Sequence, residues 1–146
     1  YILVEKEELG LPPPKNTELA KRIPNGTPRP ISEARGEKVV SNKPGHSVRA
    51  VQDNLFITND MHPKIILETV SIEVEKKVCI ACDAVMICPK NYIEKTPEML
   101  EKASIYPILY ADSQRHCYIC HRKNLYLTKY MRDFINILVE VENPFL

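Results

Sequence analysis

Two Cys-x-x-Cys pairs, Cys79/Cys82 and Cys117/Cys120, stand 34 residues apart and hold four of the five cysteines in a chain of 146 residues. Two residues between paired cysteines let one tight turn point both sulfurs at a single ion, and zinc favours four tetrahedral sulfur or nitrogen ligands. The spacing predicts a structural zinc site with Cys79, Cys82, Cys117 and Cys120 as its ligands. A closed four-thiolate shell leaves no open position for catalysis, and such a site contributes folding free energy on the order of 10 kcal/mol. That contribution would matter here, because the chain has no Trp and only 3 Phe, so its core is expected to be aliphatic.

The neighbouring residues allow variants of this ligand set. Cys88 lies six residues beyond Cys82, and His116 and His121 flank the second pair, so a three-cysteine, one-histidine shell is an alternative. Cys88 follows Val85, Met86 and Ile87 and reads more simply as a small buried hydrophobe. The run Cys117-Tyr118-Ile119-Cys120-His121 also satisfies the signature for covalent haem attachment, with His121 on the iron and Met131 as a second ligand. That alternative gives Cys79 and Cys82 nothing to do. A redox pair of the thioredoxin kind is expected at the start of a helix in a βαβ unit, and the pattern around neither pair places it there.

Glycine and proline divide the chain. All 4 glycines (Gly10, Gly26, Gly36, Gly45) and seven of the 12 prolines fall in the first 45 residues, including Pro12-Pro13-Pro14. Such a stretch disfavours long helices and central strands, so residues 1–62 are expected to form an extended arm. Within it Thr17 to Arg22 suits a brief helical turn, and 47–58 is a candidate strand. From Pro63 onward there is no glycine, and the pattern becomes regular. Val70, Ile72 and Val74 alternate with Ser71, Glu73 and Glu75, the period of a half-buried strand leading into Cys79. Thr96-Pro97-Glu98 supplies the signals of a helix start, for a short helix ending near Ala103. Ile105 to Ala111 reads as an edge strand because Pro107 cannot donate to a ladder, and Asp112 to Gln114 as a turn. Leu127, Met131, Phe134 and Leu138 are spaced 4, 3 and 4, widened by Tyr130, Ile135 and Val141, which predicts an amphipathic helix ending before Asn143-Pro144. The expected fold class is α+β: a zinc-stapled module over 63–146, of strands plus a C-terminal amphipathic helix, behind an extended Pro-rich N-terminal arm.

Lys and Arg total 20 against 19 acidic residues, and a net charge of +1 excludes a uniformly basic coat for nucleic acid. One stretch is locally basic. Between Ser113 and Arg132 there is no acidic residue, and Arg115, Tyr118, Arg122, Lys123, Tyr126, Lys129 and Arg132 interleave cations with rings. Cations for phosphate and rings for base stacking suit a local contact with RNA or single-stranded DNA, whereas the plainer reading is a solvated helix face. No Gly-rich phosphate loop, Gly-x-Ser-x-Gly elbow or His-Glu-x-x-His is present, and Glu68, Glu73 and Glu75 read as the polar face of a strand, so no enzyme is expected. No apolar run approaches the roughly 18 residues that span a bilayer. An odd number of cysteines in matched pairs suggests reduced thiols and an intracellular setting, with cytoplasm, nucleus and organelle matrix all open. Together these readings predict a non-enzymatic, zinc-stabilised binding or assembly subunit of a larger complex, of ribonucleoprotein or transcription type, with protein subunits and RNA or DNA as partners. A c-type haem electron-transfer protein and a purely protein-binding scaffold are the alternatives.

Overall fold

The computed structural model, which describes residues 1–109 and 114–142, begins with a ten-residue strand, β1 (Ile2–Leu11). Two compact units share the chain: Tyr1–Glu7 with Gln114–Leu146, and Glu8–Ser113. β1 contributes residues to each.

In the larger unit the three prolines that follow β1 are buried. Proline lacks a donor but keeps its carbonyl. Pro13 O accepts from Ser104 N at 2.9 Å, and Pro14 O accepts from Thr17 Oγ1 at 2.7 Å. Thr17 in turn caps α1 (Glu18–Arg22), its hydroxyl accepting from Ala20 N at 3.2 Å. A 3-10 turn over Ile31–Ala34 buries both of its end residues. Then come β2 (Lys38–Asn42), α2 (Ser47–Thr58) and β3 (Lys64–Thr69). β2 and β3 are parallel, with a bulge between Val39 and Val40, and parallel neighbours require a crossover such as α2 provides.

After α3 (Ile72–Cys82) the chain returns along the other side of β2: Val40 N donates to Val85 O at 2.9 Å and Val85 N to Lys38 O at 2.8 Å. β2 is thus bonded on both sides, and Val39 and Val40 lie in the core. The short elements β4 (Cys88–Pro89), α4 (Lys90–Glu94), α5 (Pro97–Lys102) and β5 (Tyr106–Pro107) complete this unit. Both short strands pair antiparallel with the end of β1, Gly10 facing Cys88 on one side and Pro107 on the other. One core cluster gathers Leu9, Leu11, Ile31, Leu55, Phe56, Ile87 and Tyr106, and a second gathers Val40, Cys79, Met86, Cys88, Ile93 and Met99. The hydroxyl of buried Tyr106 donates to Ile23 O at 2.7 Å.

The smaller unit consists of the first residues of β1, β6 (Gln114–Ile119), which pairs with β1, and α6 (Lys129–Glu142). The predicted terminal helix is present, and its expected end at Asn143-Pro144 lies outside the described residues. Asp112 and Ser113 of the expected turn lie outside them too, as do Tyr110 and Ala111 of the expected strand, whose described part includes β5.

Several expectations are corrected. Residues 1–62 are not an extended arm: they supply β1, α1, β2, α2 and much of the core, because the proline carbonyls find donors within the fold. The candidate strand over 47–58 is α2, whose buried Val48, Gln52, Leu55 and Phe56 follow helical spacing. The strand expected to lead into Cys79 is helix α3, because Ser71 caps it, accepting from Val74 N at 3.3 Å. The first cysteine pair therefore lies within a helix and not on a metal-binding turn. Among the described residues no helix is long and apolar enough to cross a membrane.

Candidate functional site

The carboxyl edge of the parallel pair β2–β3 holds the strongest candidate site. In open α/β sheets ligands collect outside the carboxyl ends of the strands, where helices present their N-termini. β2 ends at Asn42, and Lys43 N donates to Thr69 O at 3.1 Å, tying the exit of β2 to the end of β3. Pro44 and Gly45 then turn the chain. Gly45 has φ +100, with open space where a Cβ would stand, so a side chain there would be strained for backbone reasons alone. His46 is the N-cap of α2 and gives its first turn no side-chain hydrogen bond. By contrast, α3, which starts after β3, is capped by Ser71. Of the two helices opening at this edge, α2 is the one whose N-cap side chain makes no capping hydrogen bond.

A shallow pocket of about 370 Å³ opens there, lined by Pro44, Gly45, His46, Ser47, Arg49, Ala50 and Asp53. Arg49 fixes its wall. Its Nη1 donates to Asn42 O at 2.9 Å and lies 3.3 Å from Glu68 Oε1, while Nε donates to Asp53 Oδ1 at 2.8 Å. Burial opposes the guanidinium charge, but the bonds to Asp53 and Glu68 outweigh it and raise the group above its ordinary pKa. Arg49 thus joins β2, β3 and α2 as a permanent cation. Beneath it Gln52 Nε2 donates to Ser41 Oγ at 2.8 Å, a buried bond that fixes α2 against β2. An exposed helix start beside a committed arginine can hold a small anion.

The residues singled out by the sequence lie elsewhere. Cys79 is fully buried in the middle of α3, whereas Cys82 is exposed at its end. Burial, followed by the charges of Glu75 and Cys82, pushes the Cys79 thiol up to about 12, and burial raises Cys88 as well. Both are protonated thiols packed in the apolar interior. Asp83 closes α3 in the left-handed region at φ 49, its N–H reaching Cys79 O, which makes Cys79 to Asp83 a helix end.

Cys117 lies on β6, in the smaller unit, and Cys120 follows that strand. Among the described residues Glu5, Glu7 and Cys117 form the one group of three with donor atoms within 4.8 Å, and it includes no other cysteine. Arg115 Nε already bonds Glu7 there, and burial first, then Glu7, raises the Cys117 thiol. His121 Nδ1 lies 3.0 Å from Arg122 O, its ring engaged by its own loop.

The expected nucleic-acid residues spread over three elements of the smaller unit. Arg115 and Tyr118 are on β6, with Tyr118 against His116 and edge-on to Tyr1 at 6.2 Å. Arg122, Lys123 and Tyr126 lie exposed between β6 and α6, and Lys129 and Arg132 lie exposed at the start of α6. Sequence reasoning missed Pro44 to Asp53. The signal was the Pro44-Gly45 turn just before a helix-spaced Val48, Gln52 and Leu55, masked by glutamine at a core position.

Over residues 6–143 the chain matches the protein family described as LysR substrate binding domain. The effector binding domain of QuiR in complex with shikimate superposes with a TM-score of 0.77 at 16% identity, covering 99% of this chain and 66% of that one. For the regulatory domain of Synechocystis PCC6803 CcmR in complex with 2-PG the values are 0.81, 17%, 98% and 66%. For the BenM effector binding domain with its effector benzoate they are 0.78, 17%, 99% and 64%. The chain spans about two thirds of the length of these domains. No curated protein sequence matches it.

The family match overturns the expected fold class and function together. The fold is the two-lobe α/β type of periplasmic binding proteins, not a zinc-stapled α+β module with a Pro-rich arm. The zinc cofactor expected on Cys79, Cys82, Cys117 and Cys120 is overturned, as is the role of a zinc-finger or ribonucleoprotein assembly subunit. Chance spacing of cysteines in a helix and a strand imitated a metal-binding turn.

Proposed function

Because the chain belongs to the LysR substrate binding domain family, we propose that it is the effector-sensing part of a LysR-type transcriptional regulator and that the start of α2 holds one end of a small anionic effector. The observation that carries this reading is the exposed start of α2, opening at the carboxyl edge of β2–β3 beside a pocket walled by Arg49, with an N-cap residue, His46, whose side chain makes no capping bond. A helix start of this length favours negative charge. Shikimate and benzoate, bound by QuiR and BenM, are carboxylates, which supports an anionic class for this chain's effector.

The role is binding without chemistry. Arg49 keeps the helix start in place, and its committed hydrogen bonds leave recognition mainly to backbone N–H groups and to His46. DNA contact and assembly into oligomers belong to the complete regulator, within an intracellular setting.

Thermal unfolding with benzoate and with shikimate tests the reading. A ligand at 100 times its Kd stabilises the native state by about 2.7 kcal/mol, readily seen as a rise in Tm. Ser47→Glu places a carboxylate in the first turn of α2, where it suits the helix dipole and competes with an anion. The variant is expected to lose the ligand-dependent rise, read against its own ligand-free Tm. An equal rise in both proteins would place the anion elsewhere, and no rise with either carboxylate would count against this effector class.

A further inference from the structure

The larger unit carries another cavity, of about 370 Å³, where α3 meets α4 and the start of α5; Ile72, Glu73, Lys76, Tyr92, Lys95 and Thr96 line it. It shares no lining residue with the pocket at the start of α2. Lys76 sets it apart. Its side chain is only 9% exposed, whereas a lysine ordinarily keeps its charged head in water. An ammonium carries three N–H donors. One donates to Glu73 Oε1 at 3.1 Å and one to Thr96 Oγ1 at 2.6 Å. Both acceptors line the cavity, so the Lys76 nitrogen lies at its wall, and among the described residues no oxygen takes the third donor.

Thr96 shows that the arrangement is built at the expense of a helix cap. It stands at the N-cap of α5, where a threonine hydroxyl ordinarily accepts from the first turn, yet it makes no capping bond. Its hydroxyl donates to Tyr92 O at 2.9 Å and accepts from Lys76 instead. A tie between two helices needs neither a cavity beside it nor a spare donor, and a buried donor without a partner is costly.

The rest of the lining defines what fits. Lys95, the exposed C-cap residue of α4, brings a second cation. Glu73 is the one carboxylate in the lining, and at 71% exposed it is screened by water more than buried Lys76 is. Half-buried Ile72 and Tyr92 supply apolar wall. Lysine binds phosphate as a point charge, without the fixed fork that makes arginine selective for planar carboxylates. A phosphate monoester carries more than one negative charge at neutral pH and can use both lysines, which a monocarboxylate cannot. The volume lies toward the small end for ligand sites, the size of a compound with one ring.

We propose that this cavity binds a small organic phosphate monoester, with its phosphoryl oxygens on Lys76 and Lys95 and its apolar part against Ile72 and Tyr92. The inference stands on the geometry of α3, α4 and Thr96, and does not rest on the effector reading of α2.

The test is an amide NMR titration of the protein with phenylphosphate, with inorganic phosphate and phenol as separate probes. Phenylphosphate should give saturable shifts at the amides of Ile72 to Lys76 and of Tyr92 to Thr96. Inorganic phosphate, which lacks the ring, and phenol, which lacks the charge, should each bind there more weakly. Lys76→Met keeps the buried stem and should abolish the shifts. Because that change also removes the tie to Thr96, the exposed Lys95→Glu is measured beside it, and should weaken phenylphosphate roughly tenfold or more by turning an attraction into a repulsion. Absence of saturable shifts at these amides would overturn the proposal, as would unchanged affinity in Lys95→Glu. Inorganic phosphate binding as tightly as phenylphosphate would reduce the site to an adventitious ion only, and phenol binding as tightly would remove the role of the lysines. The effector site is read at Gly45 to Ala50, so failure at either place leaves the other result standing.

Discussion

Both carboxylate oxygens of Glu75 are buried without a hydrogen-bond partner, and the residue is 1% exposed. An unpaired carboxylate in an apolar core is costly, so the group takes up a proton: burial pushes its pKa to about 7. The folded protein therefore binds more protons than the unfolded chain between the ordinary carboxyl value of 4.5 and about 7. Stability from this group is fully present below about 4.5 and is lost as pH rises through about 7. At about 1.4 kcal/mol per unit the total loss is up to about 3 kcal/mol. Glu75→Met, which keeps length and removes the charge, is expected to stabilise the protein most above pH 7 and to flatten this pH dependence. Urea unfolding at pH 5 and pH 8 checks it: an unchanged difference between the two pH values would assign the dependence to another group. Glu75 also explains an error of reading. In α3 the buried positions include Glu75, Lys76 and Cys79 while Val74 is exposed, so polarity and burial are inverted along the helix.

Elements were legible where sequence polarity and packing agreed. The 4-3-4 stripe of Leu127, Met131, Phe134 and Leu138 announced α6, and Thr96-Pro97 announced α5, because both patterns act locally. α2 and α3 were read as strands for opposite local reasons: glutamine replaces an apolar residue in the stripe of α2, and Val70, Ile72 and Val74 imitate a period of two just ahead of α3. The site followed the same divide. Pro44-Gly45 was visible as a turn, but its value depends on the parallel pairing of β2 with β3, a contact distant in sequence. The end of α3 offers a test at this scale. Asp83 occupies the left-handed region at φ 49, where glycine carries no Cβ penalty. Asp83→Gly is expected to stabilise by roughly 0.5 kcal/mol, and Asp83→Val to destabilise by roughly 1 kcal/mol or more, the β-branched residue being worst suited to positive φ. Denaturant midpoints in the order Gly, Asp, Val support a strained helix end; equal midpoints contradict it.

For the whole molecule, the odd cysteine count and matched pairs carried weight that the fold does not give them. Cys79 and Cys88 fill a core cluster, Cys82 closes a helix, and Cys117 sits on a strand beside Glu7. The larger unit is organised around parallel β2–α2–β3, and the solved domains on which the chain superposes hold shikimate, 2-PG or benzoate. The most direct measurement is the amide NMR spectrum of the chain titrated with benzoate and with shikimate. The predicted result is a saturable shift, for at least one of them, centred on the amides of Gly45 to Ala50. Shifts confined to Arg122 to Arg132, or no movement in the first turn of α2 with either compound, would contradict an effector site at that helix start.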